Sequence, residues 1–457
     1  MKPLSPMDQT FLWLERRNQP MHVGGLQLIT PPPDAPPDFV QRIAERIRNP
    51  AEAVPPFNQR LVQRFGMWFW TEDEDFDIEA HVRVLALPRP GRIRELLALA
   101  SQLHSNHLDR ARPLWEYYII DGVEGGRVAV YTKIHHAMVD GMAAMRMLMK
   151  SMSEDPAARK LPAIWAKPLH SSGDTGDGAR AARQGPYAAL AQAAQAAGAQ
   201  IGGLPFVAWE LWGKFKEAYA NGDLASGFLA PRCILNQRVT ASRRFAAQSY
   251  SLDRIRGVGK AHAATVNDVV LAMCGSALRK YLQELDALPE KSLVAMVPVS
   301  MRRDDTATGN QVAMLLATLG THLTDPRERL EAIKRSVKDS KDRYARMTPG
   351  QIMTYAGLLA APSNISLATG LAPHFQAYNV AISNVPGPKK PLYWNGARLD
   401  GTYPVSIVAD GQALNITLNS YADKMEFGIT ACRRALPHIQ RLLDYLEQGL
   451  RELEGAA

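Results

Sequence analysis

The stretch VAVYTKIHHAMVDGMAAMRML places two adjacent imidazoles, His135 and His136, ahead of a carboxylate, Asp140, with three residues between, and a glycine, Gly141, directly after it. An imidazole titrates near neutrality and is suited to taking a proton from a hydroxyl or thiol nucleophile, a step that contributes about 10²–10⁴-fold to a rate. Two other readings of the same residues stay open. The pair and Asp140 could bind a metal ion, or the strand could simply end in satisfied histidines while Asp140 caps the next helix or pairs with a buried arginine. Side chains alternate along a strand, so neighbouring histidines face opposite sides or differ sharply in exposure. That divergence, and the lack of a second cluster with ligand spacing, argues against metal and leaves one histidine for a given site.

The elements around the motif are legible from their periods. LWEYYIIDG and GRVAVYTKIHH read as strands joined by the turn-prone GVEGG, and a helix begins just after Gly141, with Met142, Met145, Met149 and Met152 on one face. Such a methionine row is plain core or an adaptable apolar surface. QPMHVGGLQLI alternates as a strand after the helical DQTFLWLERR, and PDFVQRIAERIRN and RIRELLALASQLHSNHL have the spacing of amphipathic helices. Further along, RRFAAQSYSL, SLVAMVPVSMR and AYNVAISNVPGP read as strands, with helices at TVNDVVLAMCGSALRKYLQEL and HIQRLLDYLEQGLREL. The class is α/β or α+β.

With 457 residues and 46% hydrophobic composition, the chain can build two cores. We expect domains at 1–155 and 233–457, joined by an Ala/Gly/Pro-rich, partly helical connector at 156–232 whose Trp209, Trp212 and Phe215 either pack on a domain or rest on lipid. Three scattered cysteines indicate neither disulfides nor a thiolate zinc site, which suits a reducing cytosol. Asp8 and Glu15 interrupt any signal-peptide core, and no run of about 18 apolar residues predicts a membrane span. The net charge of +8 is spread along the chain, so no nucleic-acid module is indicated; an anionic lipid surface or a phosphate-bearing ligand is the sharper expectation.

Several stretches in order, PLSPMDQTFLWLE, QPMHVGGL, RPLWE, HHAMVDG, TVNDVV, VPVSMR, GNQV and SNVPGP, give the chain a likeness over almost its whole length. It resembles the bacterial wax ester synthase/diacylglycerol acyltransferase family. The resemblance implies two chloramphenicol-acetyltransferase-like α/β domains meeting at a tunnel. It implies direct transfer of an acyl group from acyl-CoA, a substrate rather than a cofactor, to a long-chain fatty alcohol and to diacylglycerol, without an acyl-enzyme. It makes His136 the general base, His135 supporting, Asp140 and Gly141 structural, and Asn267 a donor to the oxyanion, although Asn267 could instead cap its helix, as could Thr265 or Asp268. Pro113, Leu114, Trp115, Asp268 and Arg302 are expected to support the site from behind, Arg302 as the partner of Asp140, and Gly387 to shape a tight turn between prolines. No resident cofactor or metal is implied. A cytoplasmic protein held peripherally at the inner membrane or at lipid inclusions follows from so apolar a product. Two alternatives remain: a same-fold enzyme acting on a polyketide or peptide acceptor, and a non-catalytic lipid-binding module.

Overall fold

The structure is a computed structural model that describes residues 1–139, 141–166, 230–300, 312–348, 350–352, 354, 355, 357 and 376–456. In chain order its elements begin β1 (Lys2–Pro3), α1 (Pro6–Leu14), β2 (His22–Thr30), α2 (Phe39–Ile47), β3 (Gln59–Arg64), β4 (Met67–Glu72), α3 (Ile78–His81), β5 (Val82–Ala86), α4 (Ile93–Ser105), β6 (Trp115–Val123), β7 (Arg127–His135) and α5 (Gly141–Lys150). They continue with β8 (Arg243–Ser251), α6 (Leu252–Ala261), α7 (Val266–Glu284), β9 (Val294–Ser300), β10 (Val312–Thr318), α8 (Pro326–Ala345), β11 (Val380–Val385), β12 (Tyr393–Trp394), β13 (Ala397–Val405), β14 (Leu414–Tyr421), β15 (Lys424–Cys432) and α9 (Arg441–Gly455).

Two compact units result, each discontinuous in sequence. The first takes Met1–Leu169, Arg238–Gly257 and Ser383–Leu443, and the second His170–Gln237, Val258–Ile382 and Asp444–Ala457. The stretches 1–155 and 233–457 both supply strands to the first unit's larger sheet, because β13 pairs antiparallel with β2. Most of the 156–232 connector, with Trp209, Trp212 and Phe215, lies outside the described residues.

That larger sheet has the order β12-β13-β2-β7-β6-β5. Its central strands are buried on both faces, which is why they read as near-continuous apolar runs. Tyr117, Ile119, Val128, Val130 and Ile134 enter one core, while Tyr118, Ile120, Ala129 and Tyr131 enter another. Each fully buried large side chain of this kind contributes about 1.5–3 kcal/mol. In the same unit β14, β15 and β8 form an antiparallel ladder, and α4 covers the outer edge of β8. Ser105 and Ser101, one turn apart, accept the Arg243 and Phe245 amides at 2.8 Å each, so the edge strand's donors are satisfied by hydroxyls.

Three-stranded sheet β1-β4-β3 projects a hairpin whose turn, Phe65-Gly66, is left-handed at both residues (φ 50° and 76°). The second unit is organised around α7, apolar on nearly every side and buried from Asp268 to Leu278, as a helix inside a core must be. There β10 pairs antiparallel and β11 parallel with β9. Among the described residues no helix is long and apolar enough to cross a membrane.

Of the two readings of the methionine row, plain core is the one that does not hold. In α5 the buried methionine is Met147, whereas Met142 and Met149 are 39% and 44% exposed. Gly387 departs from expectation: its φ is not left-handed, and what requires a glycine is the close approach of another strand, since a Cβ there would lie 2.1 Å from the Ser420 carbonyl oxygen.

Candidate active site

The histidine pair stands where the middle of the sheet runs out. β7 lies between β2 and β6, with His135 opposite His22 and Ile134 opposite Trp115. Past the ladder's end, a neighbour on each side still holds the backbone. The His135 amide donates to the Leu114 carbonyl at 2.9 Å, and the His136 amide to the Met21 carbonyl at 2.9 Å. Leu114 is fully buried and Trp115 is locked, its indole N–H donating to the Phe57 carbonyl at 2.8 Å and its rings stacked between His81 and Trp165. Of the segment Pro113, Leu114 and Trp115, expected to support the site, it is Leu114 that supplies the carbonyl accepting the His135 amide.

The two imidazoles differ as strand geometry requires. His135 is fully buried, and its Nδ1 accepts the Ala137 amide at 3.1 Å. A ring nitrogen that accepts carries no proton, which assigns the proton of the neutral ring to Nε2. Nε2 in turn faces Glu15 Oε1 at 3.7 Å. His136, half-buried in the turn after β7, lies flat against Phe11, with ring centroids 4.1 Å apart and 18° between planes.

Glu15 is the residue that sequence reasoning passed over. It caps the C-terminal end of α1, and its side chain is almost wholly buried. Arg110 donates to Oε2 from Nε at 3.1 Å and from a terminal nitrogen at 2.8 Å. The Met21 amide donates to Oε1 at 3.0 Å, and His107 Nδ1 lies 3.5 Å from it. Burial alone would push this carboxyl up, but the neighbouring His107 and His135 rings and the Met21 amide outweigh it and hold Glu15 far below the usual carboxylate range. The usable signal was spacing: Phe11 and Glu15 are four apart on a helix that also bears Asp8, and so share a face.

Other histidines nearby are structural. His104 Nδ1 accepts from the Tyr131 hydroxyl at 2.8 Å and Nε2 donates to the Ser406 carbonyl at 3.0 Å. Burial lowers its pKa to about 3. His22 donates to the His104 carbonyl at 2.8 Å, and burial holds it neutral as well.

Gly141 opens α5, 3.7 Å from Val385 measured from where its Cβ would stand. Asp140 and Arg302 lie outside the described residues. Asn267 and Asp268 belong to the second unit, at the start of α7. Thr265 is the N-cap there: its hydroxyl accepts the Asp268 amide at 3.2 Å, and the Asp268 carboxylate accepts the Thr265 amide at 2.9 Å. That reciprocal box needs nothing from the half-buried Asn267, whose amide is not the cap.

Known proteins resemble the chain from end to end. The family model described as the wax ester synthase/diacylglycerol acyltransferase catalytic domain matches residues 4–270, and the family's C-terminal domain matches residues 308–454. The O-acyltransferase WSD of Acinetobacter baylyi is 50% identical over 100% of this chain and 97% of its own. A putative diacylglycerol O-acyltransferase of Mycobacterium tuberculosis is 44% identical over 99% of both. Among solved structures, the wax ester synthase/diacylglycerol acyltransferase of Marinobacter aquaeolei superposes with a TM-score of 0.81 at 49% identity, covering 100% of this chain and 99% of that one. The starter condensation domain of rhizomide synthetase, 12% identical with a TM-score of 0.55, covers 99% of this chain and 94% of its own and shares the fold. The mixed α/β architecture expected from the sequence is the one these relatives have, and the chain belongs to the wax ester synthase/diacylglycerol acyltransferase family.

Proposed function

We propose that this protein is an O-acyltransferase that moves the acyl group of acyl-CoA onto the hydroxyl of a long-chain fatty alcohol and of diacylglycerol, with His136 as general base. The observation that carries the assignment is the asymmetry of the pair. Both nitrogens of His135 are turned to protein groups, whereas His136 is half-buried on an aromatic ring at the strand's end. His136 accepts the alcohol proton as oxygen bonds to the thioester carbonyl carbon. The resulting oxyanion collapses; the C–S bond breaks, and the thiolate takes the proton back from His136 to leave ester and CoA. A thioester is already activated, so the protein supplies proximity, a proton acceptor and oxyanion stabilisation.

The test is release of free CoA from palmitoyl-CoA with hexadecanol or a diacylglycerol, with the ester identified by chromatography. We expect ester from the wild type with both acceptors and a loss of about 10²–10⁴-fold in folded His136→Ala. No CoA release with either acceptor would overturn the reaction, and an undiminished His136→Ala rate would overturn the base.

Attachment to an anionic lipid surface is the companion proposal. The β3–β4 hairpin supports it: Phe65 at the tip is 100% exposed and Met67 46% exposed, with Arg64 exposed beside them. An apolar tip next to a cation suits insertion among anionic headgroups, and the net charge of +8 favours approach.

A further inference from the structure

We propose that Glu15 is a positioning residue for the histidine pair, one buried carboxylate that sets the ring of His135 and the peptide of His136 together. The inference rests on the acyltransferase reading above and adds a residue to its machinery.

Glu15 holds His135 through the ring. With Nδ1 occupied by the Ala137 amide, the only N–H of the neutral imidazole is on Nε2; among the described residues this buried nitrogen makes no hydrogen bond, and it stands at ion-pair distance, 3.7 Å, from Glu15 Oε1. It holds His136 through the backbone. The same Oε1 accepts the Met21 amide at 3.0 Å, and the Met21 carbonyl accepts the His136 amide at 2.9 Å. One turn earlier on α1, Phe11 lies on the ring of His136, and the Glu15 amide closes that turn on the Phe11 carbonyl at 3.1 Å. The end of α1 therefore touches both members of the pair.

Helix stability does not explain the residue. A carboxylate at a helix C-terminus meets the negative end of the helix dipole, and Glu15 is the C-cap of α1. Arg110 compensates the charge from outside the helix, holding Oε2 while Oε1 serves Met21 and the histidines. The arrangement also bears on the division of labour: His135, with its one proton turned to a carboxylate and its lone pair filled, is withheld from substrate.

The test compares Glu15→Gln and Glu15→Ala by steady-state kinetics, with ¹⁵N-histidine NMR to read tautomers. Gln keeps an acceptor for the Met21 amide and is near-isosteric, so it should fold even if Ala does not. We expect kcat to fall about 10²-fold in Glu15→Ala, the scale of a small misplacement of a reacting group, and less in Glu15→Gln, with the KM for acyl-CoA unchanged in both. Removing the negative charge should also move the acid limb of kcat/KM to lower pH. A folded variant with wild-type kcat, or one altered only in KM, would overturn the proposal. Should the wild type release no CoA at all, the acyltransferase reading fails, yet the positioning claim is still decided by NMR: it requires the His135 signal, assigned with His135→Gln, to show the Nε2–H tautomer in wild type and to shift in Glu15→Gln. An Nδ1–H tautomer, or a signal indifferent to Glu15, would sink it.

Discussion

Phe11 and His136 lie ring upon ring, 4.1 Å between centroids and 18° from parallel. The face of an aromatic ring attracts a cation by about 0.5–1 kcal/mol at a partly exposed site. Phe11 therefore favours the imidazolium that forms when His136 takes a proton. Phe11→Leu keeps the apolar bulk and removes the π face. Its kcat should fall by roughly two- to fivefold, and the acid limb of kcat/KM should move to lower pH because the base is weaker. Rates measured across the pH range decide it; an unchanged profile would make Phe11 mere packing.

Two glycines near the motif should respond oppositely to alanine. At Gly387 the new Cβ meets the Ser420 carbonyl oxygen at 2.1 Å, and neither is on a flexible side chain. Urea unfolding should show Gly387→Ala destabilised by about 1–3 kcal/mol or more. At Gly141 the nearest described atom is Val385 Cγ2 at 3.7 Å, an ordinary contact, and the residue is helical. Gly141→Ala should be neutral or stabilising by up to about 1 kcal/mol. A clear loss of stability there would mean that Gly141 serves something other than space.

Burial sets two opposed pH responses in the first unit. His104 stays neutral down to about 3 in the folded chain but takes a proton near 6.5 when unfolded, so the unfolded state binds more protons between those values and stability falls as pH drops through them. Glu426 runs the other way. Burial raises its carboxyl from 4.5 to about 8, so the folded state is the one that holds the proton, and stability falls as pH rises from 4.5 toward 8. Urea midpoints from about pH 4.5 to 8 should therefore show His104→Gln losing less than wild type toward acid, and Glu426→Gln losing less toward base. Parallel curves for wild type and either variant would refute the corresponding assignment.

Phe65 offers a substitution that separates folding from lipid binding. Its φ of 50°, followed by Gly66 at 76°, is the two-residue hairpin geometry that favours Asn-Gly. Phe65→Asn should fold at least as well as wild type yet float less with anionic vesicles at low salt, and Met67→Asn should add to the loss. Equal flotation of wild type and both variants would remove the hairpin from any membrane contact.

The strands and helices nearest the chemistry were legible because their periods are strong. β6, β7, α4 and α7 appear where apolar residues run or recur, and the pair's divergence follows from the alternation of a strand. The second unit's cap was legible only as alternatives, since Thr265, Asn267 and Asp268 all have capping side chains and only coordinates show that Thr265 and Asp268 share the work. β13 escaped notice because a glycine and a proline interrupt its alternation, and its partner is β2, far away in sequence. Glu15 was hidden for a different reason. Its role depends on Arg110, Met21, His107 and His135 converging from four places, which no local pattern records. The methionines of α5 left two readings open because helical spacing alone does not say which face is buried, and the buried face runs through Met147.

The pairing of β13 with β2 also has a consequence for the order in which the protein is made. Gln27 and Thr402 face each other in that ladder, yet 375 residues separate them. At about 5–20 residues per second, roughly 20–75 s of synthesis pass between the two. Throughout that interval one flank of β2, the strand beside the histidines, is an open hydrogen-bonding edge with its rightful neighbour not yet translated. Nascent chains arrested before residue 397 should accordingly be captured by chaperones or aggregate, and full-length chains should not; equal solubility of the two would show that the edge is covered some other way.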